Sequence, residues 1–186
     1  PTPSGYLHIG NALNFVLCYL ITHLYEGKLI LRIDDLDQGR VRKEYIEDIF
    51  ETLDWLKIDW DLGPQGPEDH QKNFSQLLRL DAYEEKIAQL LPYSFACQCS
   101  RKDVQRNSKD GQYPGTCLNV SLAYQPLITS LRIITSKKDI FWYDHLRGSL
   151  SISLEREIRQ FVIKKKDQMP SYQLASLCDD LEMGVN

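Results

Sequence analysis

The opening residues of the chain combine side chains that could bind a phosphate group. His8, Gly10 and Asn11 follow a stiff turn of prolines, serine and glycine and stand where a long apolar segment begins. If that segment is a helix, its first turn carries free N–H groups and the positive end of the helix dipole, which attract phosphate. A glycine there leaves room for a nucleotide, and His8 can donate a hydrogen bond to a phosphate oxygen. An ordinary loop-to-helix junction with a surface histidine has the same pattern.

Three acidic residues follow directly after a short apolar run, Leu29 to Ile33, which is typical of a buried parallel strand. They are Asp34, Asp35 and Asp37. Because ligands of open α/β sheets bind outside the carboxyl ends of the strands, these acids could hold an ammonium group, a ribose hydroxyl or a magnesium ion. A capping cluster that pairs with the neighbouring Arg32 and Arg40 is the alternative.

Three of the five cysteines, Cys97, Cys99 and Cys117, lie in a polar segment rich in turn residues. Zinc prefers four tetrahedral donors, mostly thiolates, and a small loop with little hydrophobic content needs such a link to hold one shape. Free thiols are the alternative. Cys18 and Cys178 lie in apolar helical patterns, so the odd number of cysteines favours reduced thiols in the cytoplasm over a disulfide framework.

Composition is that of a soluble globular protein, with 42% hydrophobic and 26% charged residues among 186. No apolar stretch approaches the ~18 residues of a membrane span, and the first residues lack the pattern of a signal peptide. A net charge of −4 gives no support for nucleic-acid binding by bulk charge. Any such contact must use local basic groups, of which the candidates are Arg40 with Arg42 and Lys43, Arg101 with Lys102 and Arg106, and Lys164 to Lys166.

The hydrophobic pattern predicts that helix and strand alternate in the first part of the chain, as in a nucleotide-binding α/β fold. Leu7 to Glu26 is apolar nearly all round, which predicts a buried helix. Further helices are predicted at Glu44 to Leu56, at Gln71 to Leu91 and from Tyr172 to Cys178. Strands are predicted at Leu131 to Ile134, Ile140 to Tyr143, Leu150 to Leu154 and Phe161 to Ile163, and the segment Cys97 to Cys117 is predicted to be irregular.

Five blocks in chain order resemble the class I aminoacyl-tRNA synthetases, and their glutamyl branch most closely. They are Pro1 to Asn11, read as the HIGH element of that class at His8-Ile9-Gly10-Asn11; Leu31 to Asp37; Trp60 to Pro64; Cys97 to Lys102 with Tyr113 and Cys117; and Asp167 to Ala175 followed by Asp179 and Asp180. The cysteine block is most similar to the glutamyl-queuosine tRNA(Asp) synthetases. These short relatives lack an anticodon-binding domain and load glutamate onto a modified tRNA base.

The resemblance implies a Rossmann-like class I catalytic core with a parallel sheet, a HIGH-type helix and an inserted α+β subdomain that bears a small zinc-binding loop. The expected domains are residues 1–91 for the first part of the catalytic fold, 92–155 for the insertion with acceptor-binding-like strands, and 156–186 for the return to that fold. The family's arginine before Pro1 and its lysine-bearing KMSKS loop are not in this chain. By itself the chain is therefore expected to be a truncated core that turns over little or nothing.

The resemblance also implies a reaction. L-Glutamate is activated with ATP and Mg²⁺ as glutamyl-adenylate and is then transferred to tRNA, which makes the enzyme a ligase. His8, Gly10 and Asn11 form the catalytic and ATP-binding element in this interpretation, and Asn11 stands where the family has its final histidine. The departure at Asn11 weakens one expected donor to phosphate or ribose.

Thr2, Asp34 and Tyr172 are the residues that the resemblance assigns to amino-acid binding. Asp34 replaces the family's glutamate, which leaves the preference for glutamate over glutamine open. For the structural Zn²⁺ the implied ligands are Cys97, Cys99, Tyr113 and Cys117, and the tyrosine ligand comes from the resemblance alone.

Queuosine of tRNA(Asp) is the favoured acceptor, and the protein is expected to be a cytoplasmic monomer without a membrane partner. One alternative is a fragment of an ordinary glutamyl-tRNA synthetase that charges tRNA(Glu); such enzymes need their tRNA to activate glutamate. A second is a non-catalytic tRNA-binding module with the same fold. A third, another adenylate-forming nucleotidyltransferase, is disfavoured by the cysteine segment and by Pro170-Ser171-Tyr172.

Overall fold

The computed structural model describes residues 1–108 and 110–185. It divides the chain into two compact units, Pro1–Asp81 and the residues from Ala82 onward. Within the described residues, no helix has both the length and the apolar character needed to cross a membrane. The domain limits expected at residues 91 and 155 stay predictions.

The first unit packs two helices against a central extended segment. Its helices are α1 (Ile9–Leu24), α2 (Lys43–Trp55) and the short turn α3 (Pro67–Asp69). The second of these confirms a predicted amphipathic helix, with Ile49 and Leu53 buried on its inner face. These two side chains form a core with Leu31, Ile33 and Ile58, because alternate residues of an extended segment point to the same side.

The apolar run predicted as a buried parallel strand lies in this core and pairs with a second extended segment. Leu31 N donates to Leu62 O at 2.8 Å, and Asp61 N donates to Leu29 O at 2.8 Å. Ile30 and Leu62 form a single parallel bridge. The resemblance implies a parallel sheet, but within the described residues the parallel pairing consists of this one bridge, and both sheets are antiparallel.

The prediction that the first helix is buried is wrong, because α1 has no buried residue. Phe15, Val16 and Tyr19 are half-buried against the core, whereas Ile9 and Leu24 are 86% and 75% exposed. An apolar pattern shows which faces of a helix can be buried, but burial itself requires a second surface. The pattern therefore locates the helix and overestimates its burial.

The prediction of a single long helix at Gln71 to Leu91 is also wrong, because the segment is interrupted at Ser75. A π-helical turn (His70–Phe74) ends at Ser75, whose backbone is extended with φ −58° and ψ 137°. A 3-10 turn (Gln76–Arg79) and α4 (Leu80–Leu90) follow. The interruption lets the Ser75 hydroxyl and the Gln76 N–H donate to the carboxylate of Asp35, which lies 40 and 41 residues earlier in the chain. No local pattern reveals so distant a partner.

The second unit contains an antiparallel sheet and a hairpin. The sheet has the order β1–β2–β5, with β1 at Ser94–Cys97, β2 at Ser130–Ile133 and β5 at Val162–Lys164. The hairpin joins β3 (Asp139–Asp144) to β4 (Gly148–Ser153), and these strands confirm the ones predicted from alternation. Helix α6 (Tyr172–Met183), predicted from its start, shares a core with the sheet through Leu174, Leu131 and Ile163.

The cysteine segment, predicted to be irregular, includes helix α5 (Arg101–Asn107). Ser100 is its N-cap residue and accepts a hydrogen bond from Asp103 N, while the Asp103 carboxylate accepts one from Ser100 N. The sequence carries this signal as a serine followed three residues later by an acid. The prediction missed the helix because it gave more weight to the turn residues around it.

Candidate functional site

The N-terminus of α1 is closed by His8, which is exposed and serves as the N-cap residue. Its Nδ1 accepts a hydrogen bond from Gly10 N at 3.1 Å, and the backbone N–H of His8 donates to Asn11 Oδ1 at 3.0 Å. Because Nδ1 accepts, a neutral imidazole carries its proton on Nε2. His8 therefore has an N–H donor at the positive end of the α1 dipole, where an anion is attracted.

Gly10 leaves space for the His8 ring. A Cβ atom at this position would lie 2.9 Å from His8 Cε1 and 3.1 Å from His8 Nδ1, closer than side chains normally approach. The sequence suggested that the glycine makes room for a nucleotide. In the structure, the imidazole of His8 occupies the space beside Gly10.

The loop before His8 is anchored to α2 by contacts that the sequence pattern did not reveal. Leu7 N donates to Asp48 Oδ2 at 2.7 Å. The rings of Tyr6 and Tyr45 meet edge to face, with 5.0 Å between their centroids. Tyr45 and Asp48 are three residues apart, so both lie on one face of α2. This face positions the loop and, through it, the imidazole.

Two of the three predicted acids form separate ion pairs. Asp34 is buried, and its Oδ1 lies 2.7 Å from Arg32 Nε. Asp37 pairs with Arg40 at 2.9 Å on the surface. Both contacts match the alternative stated in the sequence analysis, in which the acids pair with Arg32 and Arg40.

Asp34 also lies beside the first residues of the chain. Asp34 N donates to Pro1 O at 2.8 Å, which brings Thr2 next to the end of the extended segment. Thr2 is half-buried. The fold thus brings the backbone segments of Thr2 and Asp34 together, and a hydroxyl and a carboxylate can each accept a hydrogen bond from an ammonium group.

The third acid, Asp35, is buried in a network that sequence reasoning missed. Its Oδ2 accepts hydrogen bonds from Ser75 Oγ at 2.6 Å and from His70 Nε2 at 3.1 Å, and its Oδ1 accepts one from Gln76 N at 2.8 Å. Burial alone would raise the pKa of Asp35, but the hydrogen bonds from His70, Ser75 and Gln76 lower it below its ordinary value. Asp35 therefore stays ionised and holds the segment that carries Asp34.

A second candidate site lies in the second unit, where Cys97, Cys99, Tyr113 and Cys117 meet. The three Sγ atoms lie within 4.8 Å of one another. Cys99 Sγ is 3.6 Å from Cys117 Sγ, and Cys97 Sγ is 3.5 Å from Tyr113 Oη. Tyr113 Oη also accepts a hydrogen bond from Cys117 N at 2.7 Å. The fold therefore brings together all four ligands implied by the resemblance.

These separations fit a tetrahedral zinc ion. Zn–S bonds of about 2.3 Å and a Zn–O bond of about 2.0 Å place two sulfurs roughly 3.8 Å apart, and a sulfur and an oxygen roughly 3.5 Å apart. The sulfur–sulfur separation of 3.6 Å and the sulfur–oxygen separation of 3.5 Å are each close to the corresponding value. Among the His, Cys, Asp and Glu side chains of the described residues, these three cysteines form the one group of three or more that could hold a metal ion.

The pKa values of the cluster indicate how it would respond to a cation. Burial, together with the hydrogen bond to Cys117, raises the pKa of Cys99 to about 12. Burial also raises the pKa of Tyr113. Burial opposes ionisation of Cys117 too, but hydrogen bonds from Gln98 N and Tyr113 outweigh it and lower the pKa. Because ionising Cys99 and Tyr113 requires an added attraction, a divalent cation suits the cluster.

Tyr172, predicted to contact the amino acid, is the first residue of α6, and its side chain is 56% exposed. Ser171 precedes it as the N-cap residue and accepts a hydrogen bond from Leu174 N at 3.2 Å. Tyr172 belongs to the second unit, whereas Thr2 and Asp34 belong to the first. Its role in binding stays a prediction.

The basic group Lys164 to Lys166 is engaged within the second unit. Its Nζ atoms lie 2.7, 2.9 and 2.7 Å from Glu84 Oε2, Asp167 Oδ2 and Gln98 O, respectively. The predicted basic group on α5 has exposed side chains, which are Arg101, Lys102 and Arg106. Of these two groups, the one on α5 is the better candidate for contact with a nucleic acid.

Comparison with known proteins covers both candidate sites. A family model described as "tRNA synthetases class I (E and Q), catalytic domain" matches residues 1–186. The glutamate–tRNA ligase of Sulfurihydrogenibium sp. is 31% identical over 203 residues, which cover 100% of this chain and 41% of the relative. The glutamyl-Q tRNA(Asp) synthetase of Pseudomonas syringae pv. syringae is 33% identical over 187 residues, which cover 100% of this chain and 59% of the relative.

Solved structures show the same fold. The crystal structure of a glutamate tRNA ligase from Elizabethkingia meningosepticum in complex with its amino acid matches with a TM-score of 0.76 at 24% identity, covering 100% of this chain and 41% of that one. At this level of identity, the match establishes the fold alone. The chain spans 41% to 59% of the length of the two curated relatives.

Proposed function

Because the chain belongs to the class I tRNA synthetases (E and Q) through their catalytic domain, we propose that the whole protein is a ligase that activates L-glutamate with ATP and Mg²⁺ and transfers the glutamyl group to tRNA. In the first step, a glutamate carboxylate oxygen attacks the α-phosphorus of ATP, which forms glutamyl-adenylate and releases pyrophosphate. In the second, a hydroxyl of the tRNA attacks the activated carbonyl and releases AMP. Such chemistry needs positioning and charge stabilisation more than covalent help from the protein.

The observation that carries this proposal is the N-cap of α1. Gly10 N donates to His8 Nδ1, so the proton of the neutral ring lies on Nε2, and Asn11 holds the backbone of His8 at a helix end that attracts anions. In the proposed reaction, Nε2 donates a hydrogen bond to the α-phosphate as negative charge builds on it. The contacts of the preceding loop with α2 keep the imidazole in place.

Thr2, Asp34 and Tyr172 are the proposed residues for the amino acid. Asp34 pairs with the α-ammonium group, and Thr2 lies next to it in the first unit. Arg32 Nε lies 2.7 Å from Asp34 Oδ1 and orients that carboxylate. Tyr172 offers a phenol hydroxyl.

We further propose that Cys97, Cys99, Tyr113 and Cys117 hold a structural zinc ion. The four donor atoms, the two matching separations and the burial of three of the ligands support this assignment. The metal would supply the crosslink that stabilises residues 97–117 and takes no part in the reaction. All five cysteines are free of disulfides, which suits a protein of the cytoplasm.

The proposed acceptor is queuosine of tRNA(Asp). The cysteine block supports this choice through its resemblance to the glutamyl-queuosine enzymes, and relatives with that name match the whole chain. The second candidate is tRNA(Glu), because glutamate–tRNA ligases match the chain at similar identity. For either acceptor, we propose that residues 1–91 and 156–186 form the catalytic fold around an insertion at 92–155.

Glutamate-dependent exchange of pyrophosphate into ATP by the full-length protein, measured without tRNA, tests the function. Robust exchange is expected for a glutamyl-queuosine enzyme. Exchange that appears only after tRNA(Glu) is added would transfer the assignment to the ordinary synthetase. Silence under both conditions would contradict the enzyme and favour a non-catalytic module.

The same assay tests the amino-acid site. Asp34→Ala and Tyr172→Phe are expected to raise the glutamate concentration at half-saturation while the protein stays folded, because each removes a contact to the substrate. Lys57→Ala, an exposed substitution on the same unit, is the control. Unchanged half-saturation in both variants would contradict the assignment of these residues.

A further inference from the structure

One buried cation of the second unit has no opposite charge beside it within the described residues. Arg132, on β2, is 8% exposed, and its Nη1 donates to Gln160 O at 2.8 Å. Its Nε is buried without a hydrogen-bond acceptor among the described residues. Removing a charge from water is strongly unfavourable unless an opposite charge or a full set of hydrogen bonds replaces the water. An anion close to Arg132 would therefore stabilise the buried guanidinium.

The group next to Arg132 is the candidate metal site. The guanidinium carbon lies 3.9 Å from the centroid of the Tyr113 ring. Tyr113 Oη lies 3.5 Å from Cys97 Sγ, so a single ring separates the guanidinium from the donor atoms. The sheet fixes this placement. Phe95, which lies two residues before Cys97 on β1, pairs with Arg132 on β2.

Apolar side chains that pack against the cluster are Phe95, Val104 and Leu122, and Lys166 Nζ donates to the backbone oxygen of Gln98 at 2.7 Å. Three thiolates and a phenolate bring more negative charge than one Zn²⁺ neutralises, so the loaded cluster is a buried anion. Attraction between opposite charges is large in such surroundings. Arg132 supplies a cation in contact with a ligand of the cluster.

We propose that Arg132 is the counter-charge of the zinc cluster and stabilises it across the face of the Tyr113 ring. The inference rests on the zinc site proposed above. The loaded cluster supplies the anion that the buried guanidinium lacks, and the guanidinium offsets the negative charge of the cluster. Zinc and Arg132 therefore stabilise each other, whereas a residue that only packs in the sheet would stabilise the metal-free and loaded forms equally.

Zinc affinity tests this coupling. The full-length protein and its Arg132→Met variant, which keeps an unbranched side chain and loses the charge, are compared by competition with a chromophoric chelator. Arg132→Met is expected to bind zinc about 10-fold or more weakly, as when other outer partners of metal ligands are removed. Arg132→Lys, which keeps the charge, is expected to bind more tightly than Arg132→Met.

The matched control is Arg106→Met, which removes an exposed charge from α5 in the same segment. Its zinc affinity is expected to stay within about twofold of the wild type, because exposed charges are screened by solvent and salt. Equal zinc affinity of Arg132→Met and the wild type would overturn the inference. An equally large loss in Arg106→Met would do the same, since net charge alone would then explain the effect.

Thermal unfolding gives a readout that a purely structural role would not produce. After zinc removal, Arg132→Met is expected to be at least as stable as the wild type, because the unpaired buried charge is gone. With zinc bound it is expected to be less stable. An equal loss of stability in both forms would overturn the inference.

Two further results keep the test decisive. If Arg132→Met does not fold, Arg132→Lys must bind zinc about 10-fold more tightly than Arg132→Gln, and equal affinities would overturn the inference. A wild-type protein with less than about 0.2 zinc per chain would instead contradict the zinc site itself, since structural zinc binds stoichiometrically. Failure of the zinc site and failure of the Arg132 inference are thus separate outcomes.

Discussion

His8, Gly10 and Asn11 depend on one another at the start of α1. The imidazole accepts a hydrogen bond from Gly10 N, and the Asn11 side chain accepts one from His8 N. The bond from Gly10 N fixes the tautomer of the neutral imidazole, and both bonds hold the residue in position. The glycine leaves the ring in this position, because a Cβ at position 10 would lie 2.9 Å from His8 Cε1 and displace it.

The Gly10→Ala substitution tests this dependence. The new methyl group is expected to displace the His8 ring and so lower the rate of pyrophosphate exchange about 10-fold or more. Stability is expected to change by less than about 1 kcal/mol, because the weakened cap is offset by the higher helix propensity of alanine. Gly5→Ala, where an added Cβ has nothing within 4 Å, is the control. An unchanged exchange rate in Gly10→Ala would contradict this account of the glycine.

Asp35 shows how a buried acid can shape the chain around it. It accepts three hydrogen bonds from residues 70–76, and the Ser75 and Gln76 bonds coincide with the break in the predicted helix. Its lowered folded-state pKa means that the folded protein favours the ionised carboxylate. The resulting stability is fully present above the unfolded-state pKa of about 3.9 and is lost as the pH falls through the lower folded-state value.

The Asp35→Asn variant is therefore expected to be less stable by about 2–4 kcal/mol at neutral pH, because amide hydrogens would face existing donors. It is also expected to lose less stability than the wild type as the pH falls below about 4. Urea unfolding at several pH values measures both effects. Asp37→Asn, which affects an exposed ion pair, is the control and should change stability little. Parallel pH dependences of Asp35→Asn and the wild type would refute this role.

At the scale of elements, the pairing of two extended segments depends on Gly63. This residue has φ +118°, and a Cβ there would lie 2.2 Å from Leu31 O. Leu31 N donates to Leu62 O in the same pairing, so the two backbones approach too closely for a side chain between them. The close approach explains why a glycine follows this segment.

Gly63→Ala is expected to destabilise the protein by about 3 kcal/mol or more, because the backbone must move and the left-handed conformation is strained. The midpoint of urea unfolding measures the loss. Gly66→Ala, three residues later, is the control, since an added Cβ there has nothing within 4 Å. Similar midpoints for the two variants would show that the pairing tolerates a side chain.

Helices and strands differ in how well local patterns predict them. The pattern predicts α2, β2 and β5 because each has side chains buried against a nearby surface. It predicts β3 and β4 from alternation, although β3 has no buried residue. It does not predict β1, a strand of only four residues. It fails at Ser75 because the competing hydrogen bonds come from a distant acid. It overestimates the burial of α1 because periodicity contains no information about which surface covers a face.

At the scale of the whole molecule, the resemblance was carried by blocks in both units. The N-cap of α1 and the acids lie in the first unit, and the cysteine cluster and Tyr172 lie in the second. The family match over residues 1–186 confirms the resemblance to class I aminoacyl-tRNA synthetases that these blocks indicated. Their order along the chain identified the family although no single block was specific.

The sequence by itself determined the family, most of the elements and the residue types of both candidate sites, because motifs and periodicity are local properties of a chain. Only the tertiary structure decided which of these residues have partners. It showed that Gly10 accommodates the His8 ring, that Asp35 is bound by residues 70–76, and that a buried arginine lies over the ring of Tyr113. Each of these facts depends on space and charge shared by atoms whose contact forms only when the backbone folds, and such contacts leave no periodic trace in the sequence.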